Sequence, residues 1–303
     1  MRLVYYSLVN FPDDSREHQW IQSIRSLRRH NPSIPVWLLL FNHRSSDLLR
    51  EAERQNVHVR YLGDYAEFME HAHPRGLLLA LYPTFHKFLV LRGLPLEGFS
   101  QILYLDCDTF FFNDVNLLFD LHASSDWYAR EEMNTLRSHL PCDPKHVDEL
   151  LLHDIASREG LRYVAPFNSG VCLLNNRLWE SFEGLQQTYL SLAWRLICGR
   201  ELSGYDFGPH HRRVHSTVMN AMTDSDRVNA LPYPSRNDWI IEQIALWLAL
   251  GSLPNSPLGT LSPEHVLQGG EFENILASDR RCVLAHYFSV CESDFFAAVP
   301  KIE

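Results

Sequence analysis

Asp106 and Asp108 stand one residue apart at the end of an apolar run, ILYLDCDTFFFND, residues 102–114. Two carboxylates closing a hydrophobic strand repel each other and are costly to desolvate, so a compensating cation is expected beside them. Side chains alternate with period two along a strand, which puts both acids on one side of the chain. Paired oxygen ligands suit a hard divalent ion, Mn²⁺ or Mg²⁺, able to bridge a diphosphate and neutralise charge developing on a leaving group. The plainer alternative, acids capping a turn, leaves their repulsion unanswered.

A second acidic element lies in NDWIIEQIALWLALG, where Asp238 and Glu242 are four residues apart and Gln243 follows. That spacing shares one helix face. A carboxylate there can act as general base or stabilise positive charge, and the competing reading is the polar stripe of an otherwise buried helix. His210, His211 and His215 in GPHHRRVHS have no Cys or acidic partner at zinc-ligand spacing, and the segment reads as a loop over a ligand.

These residues need a scaffold. Short apolar runs alternating with amphipathic segments predict an α/β chain with a parallel sheet and helices on its faces. Strands are expected at 2–9, 36–41, 57–62, 102–106, 127–133, 171–175 and 283–288, with helices at about 16–29, 46–55, 76–92, 144–158, 178–198 and 237–250. Segments 200–216 and 251–270 read as loops, rich in Gly, Pro and charge. No repeat or linker interrupts the pattern, so 1–303 is expected to be one domain with a helical insertion at about 134–165.

The 303 residues are 46% apolar, enough for a large core, and carry a net charge of −10. A negative field disfavours nucleic acid and anionic membrane surfaces as partners, so an anionic ligand needs a local cation or basic cluster. VWLLLF and WIIEQIALWLAL fall short of the roughly 20 residues that span a bilayer, so no transmembrane segment is expected. The first residues, MRLVYYSLVN, lack a secretory leader pattern, and the six cysteines include no Cys-x-x-Cys pair, so a cytoplasmic location with reduced thiols is expected.

The run ILYLDCDTFFFNDVNLLF, followed by APFNSGVCLLNN at 165–176, resembles the Asp-x-Asp and Asn-Ser-Gly elements of GT-A-fold nucleotide-sugar glycosyltransferases, in particular the glycogenin-like and bacterial galactosyltransferase-like group. The resemblance extends loosely from the first strand to His286 and implies the α/β GT-A fold, a mixed, mostly parallel sheet flanked by helices. It implies a metal-dependent transfer of a sugar from a nucleotide-diphosphate donor, expected to be a UDP-sugar, to a hydroxyl of an acceptor glycan, small molecule or protein. By the same resemblance Asp106, Asp108 and His286 hold Mn²⁺ or Mg²⁺. Asp106, Tyr6, Ser7, Lys87, Asn168, Ser169 and Gly170 contact the donor, while Asp238, Glu242 and Gln243 lie across from the sugar. After His286 the chain departs from the group, since HYFSVCESDFF has neither the following Gly nor the Lys-Pro-Trp that grips the diphosphate. Lys87, Arg130, Arg212 or Arg213 is expected to replace that grip.

Two other classes use related features. Haloacid-dehalogenase-like phosphatases carry Asp-x-Asp-x-Thr/Val near the N-terminus, but here Phe110 occupies the Thr/Val place and the motif lies a third of the way along. Sugar-nucleotide pyrophosphorylases need a Gly-rich loop after the first strand, and YYSLVNFPDD has no glycine. A non-catalytic sugar-nucleotide-binding module with the same fold is the remaining alternative.

Overall fold

The computed structural model describes residues 1–12, 15–131, 147–200, 209–235, 237, 240–253, 255–268 and 281–286, with backbone alone at 15 and 209–213. Its first half alternates β1 (Arg2–Asn10), α1 (Ser15–His30), β2 (Val36–Asn42), α2 (Ser46–Arg54) and β3 (His58–Tyr61). Three short helices follow, α3 (Tyr65–Ala72), α4 (Gly76–Leu79) and α5 (His86–Leu89), and then β4 (Gln101–Leu105), β5 (Thr109–Phe111), α6 (Asn116–Leu121) and β6 (Trp127–Glu131). The remainder holds α7 (Glu149–Arg158), β7 (Phe167–Asn175), α8 (Phe182–Cys198), α9 (Pro209–Ala221), α10 (Asp224–Val228), α11 (Ile241–Gly251), β8 (Leu258–Thr260), β9 (Val266–Gln268) and β10 (Leu284–His286).

Seven strands form the main sheet in the order β3-β2-β1-β4-β7-β6-β8, with β7 antiparallel to its neighbours and the other pairs parallel. The chain winds outward through β1, β2 and β3, then returns to lay β4 on the other side of β1. The strand order therefore reverses between β1 and β4, and the crevice beyond their carboxyl ends is where open α/β sheets bind ligands. Asp106 is the first residue after β4. Both faces of the sheet are covered, as near-continuous apolar strands require. Tyr5, Phe41, Ile102 and Tyr104 pack toward α8 and α11 on one face, and Tyr6, Leu38, Leu103 and Leu105 pack toward α1 and α2 on the other. A second sheet, β5-β10-β9, grows directly from the acidic turn. No described helix is long and apolar enough to cross a membrane, and Cys107, Cys172, Cys198 and Cys282 are buried thiols.

Several expected elements differ. The single helix expected at 76–92 is α4, α5 and a 3₁₀ turn at Val90–Gly93, because Pro83 between them lacks the amide a continuous helix needs. The stretch 65–72, which falls between the strand expected at 57–62 and the helix expected at 76–92, is helical behind the cap of Asp64, whose carboxylate accepts from the amides of Ala66 and Glu67. The expected loop 200–216 contains the start of α9, with Pro209 as its first residue, the helix position a proline tolerates best. The loop expected at 251–270 contributes β8 and β9. The helix expected from 178 opens as a 3₁₀ turn at Asn176–Ser181, and the strand expected at 171–175 begins earlier, at Phe167. The first part of the expected insertion, residues 134–146, lies outside the described residues, and the remainder carries α7 (Glu149–Arg158).

α1 and α2 are tied together by Glu51, which accepts from Arg25 Nε at 2.8 Å and Nη2 at 2.9 Å, from Arg54 Nη1 at 2.8 Å and from Gln55 Nε2 at 2.8 Å. The Arg25 hydrogen bonds lead in holding its carboxyl down at about 2. A depressed folded value means stabilisation that is complete above the ordinary carboxylate range and is lost as pH falls toward 2. Both arginines are about half exposed, so the contribution is modest. Glu51→Gln should lower stability at pH 7 by about 1 kcal/mol in urea denaturation, with the difference from wild type shrinking between pH 5 and pH 3. A difference that does not change with pH would refute this origin.

Candidate metal and active site

The acids and the late histidine meet through strand register. Asp106 and Asp108 occupy the turn between β4 and β5, rather than the strand end expected to run through 106. β10 pairs antiparallel with β5 so that His286 stands opposite Thr109, next to Asp108. His286 Nε2 is 3.2 Å from Asp108 Oδ1 and 3.6 Å from Asp106 Oδ2. One donor atom from each of the three residues lies within 4.8 Å of the others. The backbone beneath is shaped for this imidazole: a Cβ on Gly170 would come within 2.0 Å of His286 Cε1. Two carboxylates and an imidazole packed on a glycine fit a divalent cation. Burial alone would raise the Asp108 carboxyl, but the His286 imidazole and then Lys87 hold it below its ordinary range.

Lys87 is the buried counter-charge. Its Nζ lies 2.9 Å from Asp106 Oδ2, 3.4 Å from Glu242 Oε1 and 3.5 Å from Ser169 Oγ. Ser169 Oγ in turn donates to Glu242 Oε1 at 2.6 Å. Burial works to lower the Lys87 ammonium, and the carboxylates of Asp106 and Glu242 overcome it, so the group stays charged well above its usual range. Glu242, 1% exposed, has its carboxyl raised by burial against the pull of Lys87 and Ser169. Each side chain comes from a different element: Lys87 from α5, Asp106 from the β4–β5 turn, Ser169 from β7 and Glu242 from α11.

β7 reaches this cluster through an irregularity. Its register against β6 runs from Ala129↔Cys172 to Arg130↔Asn168, so Ser169, Gly170 and Val171 have no partners on β6. Such a bulge re-aims side chains. Asn168 Oδ1 accepts from the Gly170 amide at 2.9 Å, and the Gly170 carbonyl accepts from the Asp106 amide at 2.8 Å, which ties the Asn-Ser-Gly run to the acidic turn.

Other expected site residues fall elsewhere. Tyr6 is wholly buried on the α1 face, where its hydroxyl meets Ser23 Oγ at 2.9 Å and its ring meets Trp20 edge-on. Ser7 is also buried, with Oγ 2.8 Å from His86 Nδ1. Burial and the neighbouring Lys87 push that imidazole down to about 3, so it is neutral. Gln243 follows Glu242 on α11 and is 9% exposed. Glu242 Oε2 and Gln243 Oε1 have no hydrogen-bond partner among the described residues. Asp238 and the side chains of His210, His211, Arg212 and Arg213 lie outside the described residues, while Arg130 is buried across the sheet from Asn168.

Tyr104 is the contact that sequence reasoning passed over. It precedes Asp106 by two residues, and its hydroxyl donates to Asp106 Oδ1. Period-two alternation was the available signal, since residues i and i+2 leave a strand on one side.

Removing one partner of a buried ion pair leaves the other uncompensated. Lys87→Met should therefore cost about 3–5 kcal/mol of unfolding free energy in urea at pH 7. A loss below about 1 kcal/mol would show that the pair is solvated rather than buried.

The sequence matches no protein-family profile and no curated protein. Among solved structures, the chain is similar to an active-site mutant of LgtC, with a TM-score of 0.50 and 12% identity over 99% of this chain and 96% of that one. It is also similar to the bifunctional glycosyltransferase WbbM, with a TM-score of 0.52 and 13% identity over 98% of this chain, which spans about half, 49%, of that protein. Identities this low speak for shared architecture, and that architecture, with its mostly parallel seven-stranded sheet, is the GT-A glycosyltransferase fold.

Proposed function

We propose that this chain is a metal-dependent glycosyltransferase that moves a sugar from a nucleotide-diphosphate donor, a UDP-sugar by resemblance, to a hydroxyl of a glycan, small-molecule or protein acceptor. The observation that carries the reading is the Asp106, Asp108 and His286 group at the carboxyl rim of β4, at the point where strand order reverses. WbbM, a bifunctional glycosyltransferase, has a like fold, which supports the same reading.

Asp106, Asp108 and His286 would hold Mn²⁺ or Mg²⁺, and the imidazole favours Mn²⁺ of the two. When bound, the ion supplies charge neutralisation for the departing diphosphate. The protein's own groups do the positioning. Lys87 holds Asp106 in place through its ion pair with Oδ2. Asn168, Ser169 and Gly170 would line the sugar, and the missing Cβ of Gly170 leaves its space to the His286 imidazole. Glu242 Oε2 and Gln243 Oε1 are acceptor atoms left for hydroxyls of sugar or acceptor. Buried, with its carboxyl raised, Glu242 is suited to take the acceptor proton or to stabilise positive charge at the anomeric carbon.

No observation favours the phosphatase alternative. Its nucleophile would be Asp106, whose two oxygens are engaged by Lys87 and Tyr104.

The test pairs turnover with binding. Sugar-nucleotide hydrolysis and transfer should depend on Mn²⁺ and be abolished in Asp108→Ala, and thermal stabilisation by UDP-, GDP- or CMP-linked sugars should require the ion. Undiminished turnover in Asp108→Ala would overturn the assignment. Metal-dependent binding of a sugar nucleotide without turnover on any donor or acceptor would favour the binding module.

A further inference from the structure

β1 and β4 are neighbours in register, and Tyr5 stands directly opposite Tyr104. Both are fully buried, with ring centroids 5.0 Å apart. Each holds one half of the ion pair above it: Tyr5 donates its hydroxyl to the Lys87 carbonyl at 3.0 Å, and Tyr104 donates to Asp106 Oδ1. The Lys87 ammonium also lies 5.9 Å from the centroid of the Tyr104 ring.

The two contacts on Asp106 fall on different oxygens. Lys87 takes Oδ2 at 2.9 Å, and Oδ2 is also the oxygen 3.6 Å from His286 Nε2. A carboxylate's terminal torsion is broad and readily turned. With one oxygen held by Tyr104 and the other by Lys87, its rotation is fixed. With the Tyr104 contact removed, the pull of the buried ammonium is unopposed, and the carboxylate turns toward Lys87 and away from Asp108 and His286.

We propose that Tyr104 is a positioning residue for the reaction: its hydroxyl anchors Asp106 Oδ1 against the pull of Lys87, so that Oδ2 stays aimed at the space shared with Asp108 and His286. The proposal rests on the metal-dependent reading of the site. Tyr104 touches neither donor nor acceptor in this role and acts through Asp106. The buried aromatic pair thus serves the site as well as the core.

Tyr104→Phe deletes the hydroxyl and keeps the ring that packs on Tyr5 and on Phe88, whose centroid lies 6.0 Å away. Wild type, Tyr104→Phe and Asp108→Ala are titrated with Mn²⁺ and bound ion is read by electron paramagnetic resonance. Thermal unfolding is followed in parallel, and turnover is measured across Mn²⁺ concentration. Loss of a group that orients a metal ligand typically weakens metal affinity about 10-fold or more. Tyr104→Phe should therefore bind Mn²⁺ about 10-fold more weakly, and its half-saturating Mn²⁺ for turnover should rise by the same factor, with kcat near wild type once the ion is saturating. A merely structural role would lower the melting temperature without this split. Wild-type Mn²⁺ affinity in Tyr104→Phe, with binding lost in Asp108→Ala, would overturn the role of Tyr104 and leave the site reading standing. Wild-type affinity in Asp108→Ala would overturn the site reading itself.

Discussion

A single buried ammonium sets the terms for the rest of this molecule. Lys87 sits within 2.9 Å of Asp106 and 3.4 Å of Glu242, with the lysine and the glutamate buried and the aspartate partly exposed at the rim. Burial raises the Glu242 carboxyl, and Lys87 pulls against that rise. The lysine gives Asp106 a hydrogen-bonded counter-charge at the sheet rim, and it makes a convergence of four elements energetically tolerable. Buried ion pairs add little net stability, because desolvation consumes most of the attraction, so their presence in a core this apolar points to use rather than to folding.

The fold supplies the convergence by simple means. Reversal of strand order places β4 beside β1, and the acids follow β4 into the crevice. The small second sheet then returns the chain to that point, since β5 leaves the acidic turn and β10 pairs back along it, with His286 opposite Thr109. Gly170 completes the assembly by leaving room for the ring. α11 is buried along its whole length, and Glu242 is the acid that the helix carries into the core toward Lys87. Each of these steps follows from pairing or packing, and together they bring residues nearly two hundred positions apart within hydrogen-bonding range.

How much of this could be read from the sequence depended on whether the signal was local. The apolar runs of β1, β2 and β4 and the Asp106/Asp108 pair are local patterns, and the α/β class with acids at a strand end was legible from them. The break at Pro83 was equally local, yet the helical periodicity around it suggested one helix through 92, while α9 was hidden because a proline that starts a helix looks like one that ends a loop. β8 and β9 are three residues each, below the length at which alternation is visible, and they are strands by virtue of their partners; the strand expected at 283–288 is present as β10, but its pairing with β5 has no local signal. For the same reason the place of His286 beside Asp108 was available only through resemblance. The Lys87 to Glu242 contact, between α5 and α11, has no local signature at all. Tyr104 was legible by alternation from Asp106, whereas Tyr6, expected near the ligand, alternates onto the opposite face and is sealed there by Ser23 and Trp20.

The central claim is that a cation completes this cluster between Asp106, Asp108 and His286. It is tested most directly by anomalous scattering at the manganese edge from a crystal soaked with Mn²⁺ and a sugar nucleotide. A single strong peak at ligand distance from an oxygen of each aspartate and from the His286 imidazole, touching the donor's phosphates, is the expected result. A bound sugar nucleotide with no manganese peak among those three side chains would contradict it.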